Sequence, residues 1–375
     1  MRRRGSAGRW AVVLLAAAVL VATPVALARR PAEASSLPAA ELAHRVQESA
    51  ATGWSGLAET SGALQVPASD SFATLADLLG GQNTLRVWWR GVEDWRVDRI
   101  RSTGETDLFR HDGYLTRWVF ESETATISPV SRIRLPDASD LLPPTLGRSM
   151  LQGAREDELT RLPTARVAGI DAVGLRLTPR ALRGVPPDLD PVGPVGTVDH
   201  VDLWADPATG LAVRVQLYAV GERRPTVSAT LTTFDRATPD RAQTSYSPSA
   251  ESRIEFEESV DVAAAANAGA PYDLPVSLAG LSVRNGQDPG AVGIYGRGPT
   301  ALIVLPLRGQ VAGPLRERLR SSASATETAE GTLAPVGPIG VLLTPRRDGR
   351  GSVLLAGTVD AATLQRAATQ LLAAG

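Results

Sequence analysis

From Thr84 to Arg90 the side chains alternate: Leu85, Val87 and Trp89 fall on one face, Arg86, Trp88 and Arg90 on the other. A period of two is that of a strand. Trp95 and Val97 continue the apolar phase after a turn at Gly91–Asp94. Glu105–Arg110 and Tyr114–Glu121 then flank His111-Asp112-Gly113, where Asp-Gly signals a tight hairpin turn. Ala125–Pro129 extends the run. The whole stretch reads as an antiparallel meander of about four or five strands.

Five of the seven tryptophans lie between Trp54 and Trp118. Trp88 and Trp89 are neighbours, so a strand sends them to opposite faces. Such a sheet either touches something on both sides or leaves an aromatic surface for a ligand. Tyr114, Thr116, Trp118 and Phe120 share a face on the second arm of the Asp-Gly hairpin. The inward set is therefore read as Val87, Trp89, Trp95, Val97, Trp118 and Phe120, joined by Leu203 and Val215 from a later hairpin. One account of this set is a sheet packed on helices, with its aromatics in the core. The other is a concave apolar surface that receives an acyl chain or a hydrophobic segment and needs no catalytic residue.

Around the meander, Ser36–Ala51 reads as a helix capped by Ser36, with Pro38 in its first turn and Leu42 and Val46 on one face. Gly53–Gln65 reads as a strand and Ser71–Leu79 as a short helix stopped by Gly80-Gly81. A charged helical stretch is expected over Leu146–Leu162, then strands at Ala165–Val167 and Asp171–Thr178. Arg180–Gly196 is a Pro/Gly-rich loop. Val198–Trp204 and Leu211–Val220 form a second hairpin across Asp206-Pro207-Ala208-Thr209-Gly210, followed by strands at Thr226–Asp235 and Ile254–Phe256. After an Ala/Gly/Asn-rich linker, short apolar runs alternate with helical stretches at Pro314–Arg320 and Asp360–Ala373, a small α/β unit.

The composition closes off much chemistry. Lys plus Arg number 39 and Asp plus Glu 40, a balance that argues against a nucleic-acid binder. The chain has no Cys and no Lys, which removes disulfides, thiol nucleophiles, a Walker A loop and Schiff-base chemistry. His200 and Asp202 share a strand face, but a metal there would need a further ligand from elsewhere. His111 is read as a turn residue and His44 as a surface group on the first helix. Gly293-Ile294-Tyr295-Gly296-Arg297-Gly298 lacks dinucleotide-loop spacing and reads as a turn between strands. The carboxylates show no acid/base spacing. The expectation is a non-enzyme with no catalytic residues, no metal and no cofactor.

Four arginines precede an uncharged run from Trp10 to Ala28, followed by the small-x-small pattern Ala26-Leu27-Ala28. A cleaved signal peptide and an uncleaved anchor both fit, and both place the chain from about residue 35 outside the cytoplasm.

Thr84-Leu85-Arg86-Val87-Trp88-Trp89, Gly104–Arg110 with the Asp112-Gly113 turn, and above all Leu203-Trp204-Ala205-Asp206-Pro207-Ala208-Thr209-Gly210-Leu211 resemble the LolA-like superfamily in its actinobacterial form. Within it they resemble the RseB/MucB-type periplasmic regulators. The resemblance covers about Ser36–Asp235. It implies an α+β fold: a curved antiparallel half-barrel sheet with helices in its concavity, followed here by the small α/β domain. The expected division is 1–34 signal peptide or anchor, 35–262 LolA/RseB-like domain, 263–276 linker and 277–375 C-terminal domain. The resemblance also implies an extracytoplasmic lipid-sensing regulator. Its partners would be a lipid or lipoprotein acyl chain and the extracytoplasmic domain of a membrane anti-sigma factor. A LolA-like carrier and a ligand-free structural envelope protein remain as alternatives.

Overall fold

The computed structural model describes residues 32–62, 73–130, 134, 136–180, 196–257, 274–284, 292–346 and 351–373. Most of the expected export segment, the Arg180–Gly196 loop and the 263–276 linker lie outside the described residues. Among the described residues no helix is long and apolar enough to cross a membrane.

The meander is β2 (Gln82–Gly91), β3 (Asp94–Arg101), β4 (Gly104–His111), β5 (Tyr114–Val119) and β6 (Thr124–Pro129), preceded by β1 (Trp54–Gly62). At the Asp112-Gly113 turn both residues have positive φ, 48° and 82°, the backbone that suits a two-residue hairpin. A second run comprises β7 (Leu159–Val167), β8 (Ile170–Leu177), β9 (Val198–Ala205), β10 (Ala212–Ala219) and β11 (Val227–Asp235). Pairing of β1 with β11 fuses the two runs. With β12 (Arg253–Phe256) they form one twelve-stranded sheet, ordered β12-β6-β5-β4-β3-β2-β1-β11-β10-β9-β8-β7. Its two ends do not pair, so the sheet is open.

The sheet curls. Cα atoms of β7 come within 8 Å of β11 although three strands separate them. In a flat sheet that separation would be about 19 Å. Two helices lie in the hollow. α1 (Ala39–Glu48) buries Leu42, Ala43 and Val46, and packs on α3 (Pro143–Leu151) and on β7 and β8. α3 packs on β10 and β11. A third helix, α2 (Ala73–Gly80), sits against β1.

Several local expectations change. α1 begins at Ala39 with Pro38 at its N-cap and no side-chain cap; Ser35 Oγ instead accepts from the Leu37 amide. The helix expected to reach Leu162 stops at Leu151, and Gly153 follows at φ +70°. The Glu158 carboxylate folds back onto the Arg155 amide at 2.9 Å, so the chain leaves this turn directly into β7. β12 returns beside β6 in parallel, the sheet's single parallel pairing. To reach it, the chain crosses the outer face of β2–β4 through the short turn α4 (Arg241–Thr244).

The C-terminal unit opens with the small hairpin β13 (Ser277–Leu278) and β14 (Leu281–Ser282). Its main sheet runs β15-β16-β20-β19-β18-β17, from β15 (Gly293–Arg297), β16 (Thr300–Leu307), β17 (Thr326–Thr328), β18 (Gly331–Val336), β19 (Ile339–Leu343) and β20 (Ser352–Gly357). All five pairings are antiparallel. α5 (Gly309–Arg320) and α6 (Ala361–Ala373) complete the unit. The glycine-rich run expected as a turn is strand β15 itself, and the turn is Gly298-Pro299.

Candidate functional site: the concave face of the sheet

The meander's register decides which side chains meet in the hollow. Trp89 faces Trp95, Val87 faces Val97 and Leu85 faces Arg99 across β2 and β3; Val97 in turn faces Leu108 on β4. The Trp89 and Trp95 rings stack, centroids 5.7 Å apart and planes 2° from parallel. Trp89 Nε1 donates to the Ala50 carbonyl at 3.4 Å. Val87, Trp89, Trp95 and Val97 thus form one buried cluster. The same cluster takes in Ala138, Leu141 and Leu142 around a single 3-10 turn, Leu78 of α2, and Val167, Ala172 and Val213 from strands β7, β8 and β10. Short elements and the far arm of the same curled sheet thus share the cover.

Leu203 and Val215 belong to a separate cluster under α1 and α3. Gly147 of α3 allows the close approach: a Cβ there would stand 2.8 Å from Leu203 Cδ1 and 2.9 Å from Ala212 Cβ. Helix and sheet meet here without room for one methyl group.

Trp118 and Phe120 are not in the hollow. His111 pairs with Tyr114, so β5 carries Tyr114, Thr116 and Trp118 on the face of Phe109, the convex one. Trp118 lies 5.8 Å from the Tyr246 ring, which also packs edge-on to Phe109 at 5.5 Å. Phe120 has left the strand for a 3-10 turn and is 66% exposed. The inward residues of β5 are Leu115, Arg117 and Val119.

The convex face holds a constellation that no sequence spacing revealed. Asp98 and Asp107 are directly opposite on β3 and β4, and both are buried. Arg96 donates to both, to Asp98 Oδ1 at 2.6 Å and to Asp107 Oδ2 at 2.9 Å. Its guanidinium lies between the Trp88 and Phe109 rings, 5.0 and 4.8 Å from their centroids. Burial raises both carboxyls above the ordinary carboxylate range, Asp107 to about 7 with Asp98's charge adding to the effect. Glu105 completes an acidic group whose ligand atoms lie within 4.8 Å of one another. The signal would have been the register, because Asp98 and Asp107 are nine positions apart in sequence.

The three histidines make local contacts. His200 stacks on Tyr218 at 4.3 Å, and both oxygens of Asp202 are held by Arg176 at 2.6 and 2.8 Å. His111 lies at the hairpin turn beside Asp94 and Asp112, and His44 pairs with Glu48 on α1. Asp206 anchors the second hairpin: Thr209 and the Ala208 amide bond to it, and Arg236 binds it at 2.8 and 2.9 Å. Burial would raise its pKa, but these bonds outweigh it and lower it.

The two units meet along a polar seam. Arg297 of β15 donates to Glu158 at 2.5 and 2.7 Å and to the Gly153 carbonyl at 2.9 Å. The Thr197 amide donates to the Thr358 carbonyl at 3.1 Å, beside a bridge between Gly196 and Val359. Burial favours the neutral form of Glu158, yet the bonds from Arg297 and from the Arg180 and Arg155 amides hold its pKa at about 2.

No family model and no curated protein matches the chain. Solved structures do. The Pseudomonas aeruginosa MucA/MucB complex is 17% identical and covers 88% of this chain and 96% of the matched one, with a TM-score of 0.47. A crystal structure of MucB is 15% identical with the same coverage and a TM-score of 0.42. A LolA superfamily protein from Nitrosomonas europaea is 15% identical, covers 56% of this chain and 99% of its own, and has a TM-score of 0.23. The solved structures to which this chain is similar thus include MucB and LolA superfamily proteins.

Proposed function

We propose that this chain is a non-enzymatic, extracytoplasmic regulatory protein that binds an acyl chain or a hydrophobic segment on its concave sheet. The observation that carries the proposal is the stacked Trp89–Trp95 pair with Val87 and Val97, packed against short elements as well as the far arm of the curled sheet. α2 has eight residues, fewer than an isolated helix needs for stability in water, so its position depends on its contacts. A cover of this kind can yield to a ligand that supplies equivalent apolar contact. The regulatory part rests on the sequence resemblance: the ligand would alter how the protein holds a membrane anti-sigma factor, with the C-terminal unit contributing to that contact. Export follows from the Arg-led apolar N-terminus.

A brominated fatty acid added to the full chain tests the binding step, because bromine quenches indoles it touches. Saturable quenching that falls in Trp89→Ala and Trp95→Ala variants is the expected result. Equal quenching in a folded Trp89→Ala variant would remove the concave face from the account.

A second reading is favoured by the filled hollow, in which Val87 and Val97 are fully buried. On that reading the sheet is a rigid scaffold and regulation is by protein contact alone. Absence of quenching, with capture of the anti-sigma partner intact, would select it.

A further inference from the structure

Arg99 is a buried cation in the hollow without a carboxylate partner among the described residues. It stands on the inward face of β3, two residues beyond Val97 and four beyond Trp95, and is 8% exposed. Its Nε donates to Asn83 Oδ1 at 2.8 Å. Asn83 is itself committed, donating to Thr60 Oγ1 at 3.1 Å and to the Leu78 carbonyl of α2 at 3.0 Å. No carboxylate among the described residues pairs with Arg99. A guanidinium has five N–H donors, and among the described residues only the Nε–H finds a partner. The forked pair of η nitrogens is the part of arginine that fits a carboxylate or phosphate.

The inward face around Arg99 carries further arginines and one carboxylate, Asp77 of α2. Arg101 lies two residues further along the same face, 3.5 Å from Asp77 of α2. Arg117 of β5 faces inward, is exposed and has no ion pair among the described residues. Three other nearby acids, Asp98, Glu105 and Asp107, are on the opposite face of the sheet. Burial and the Arg101 charge disfavour the protonated guanidinium and the Asp77 charge offsets them only in part, so an anion placed there would relieve a remaining cost.

We propose that the concave face takes an anionic amphiphile, with its carboxylate or phosphate headgroup on Arg99 and its chain along Val97 and Trp95. This rests on the apolar-ligand reading above. Strand geometry puts Arg99 about 13 Å from Trp95, so a headgroup on one leaves a chain lying on the other.

The test uses tryptophan fluorescence of the full chain with three probes: laurate, dodecanol and inorganic phosphate. Laurate should bind about tenfold more tightly than dodecanol, as a charge-assisted forked bond requires. Arg99→Gln should bring the two to within about twofold, while Arg99→Lys should keep most of the preference. Equal affinity for laurate and dodecanol in the unaltered protein would overturn the Arg99 assignment and leave the apolar site standing. So would an unchanged preference in Arg99→Gln. Binding of neither amphiphile would overturn the apolar site and this inference together. Phosphate alone binding as tightly as laurate would mark a free-anion site and overturn the amphiphile. Should Arg99→Gln fail to fold, the laurate–dodecanol comparison on the unaltered protein decides the matter without a variant.

Discussion

Asp98 and Asp107 face each other across β3 and β4, both buried; Arg96 donates to both, and Arg86 lies 3.8 Å from Asp98. Burial and the mutual repulsion of the carboxylates outweigh the nearby guanidinium charges, so both carboxyls are pushed up. Asp107 titrates at about 7 in the fold against an ordinary 3.8. Between those values only the folded state holds the proton. The stability it confers is therefore complete below about pH 4 and is lost as the pH rises through 7. Asp107→Asn should be more stable than the unaltered protein at pH 8, by up to about 4 kcal/mol, and lose that advantage at pH 4. Urea unfolding at the two pH values checks this; equal destabilisation at both would contradict it.

Glu158 has the opposite sign. Its folded pKa of about 2 lies below the ordinary 4.5, so its contribution is present above 4.5 and is lost as the pH falls through 2. Glu158→Gln leaves Arg297 without its charge partner at the seam and should cost about 3–5 kcal/mol. Limited proteolysis should then cut between the two units earlier than in the unaltered protein.

At Gly147 helix propensity and packing disagree. Alanine in a helix is ordinarily favoured over glycine by about 1 kcal/mol. Here the new methyl would stand 2.8 Å from Leu203 and 2.9 Å from Ala212. Overpacking of that kind costs about 1–3 kcal/mol, so Gly147→Ala should lower the melting temperature rather than raise it.

The face assignment can be tested by a pair of truncations. Trp89→Ala removes a ring that is 4% exposed and should cost about 3–5 kcal/mol. Phe120→Ala removes one that is 66% exposed and should stay within about 0.5 kcal/mol. Similar losses at both positions, measured by chemical unfolding, would mean the inward face is wrongly drawn.

The alternation of Leu85, Val87 and Trp89 was legible because one strand with one buried face writes its own period. The phase of Trp118 was not, because it passes through two turns in series. Arg101 pairs with Gly104 across an unmarked two-residue turn, and His111 with Tyr114 across Asp112-Gly113. Only the two registers together put Trp118 opposite Asp107 and off the inward face. The same registers hide the Asp98–Asp107 pair and place Arg99 beside Leu85, contacts that exist only once strands are aligned. The charged run after Leu151 resembled helix because its acids fit a helical surface, whereas Glu158 is consumed by Arg297 from the other unit.

The central claim is that the sheet's hollow is a binding site for an apolar chain. Native mass spectrometry with lipid extraction, on the protein purified from its own cell envelope, tests it most directly. The account predicts an extractable acyl lipid at near-stoichiometric level, lost when Trp89 or Trp95 is replaced by alanine. A clean ligand-free mass that takes up no added acyl lipid would contradict it.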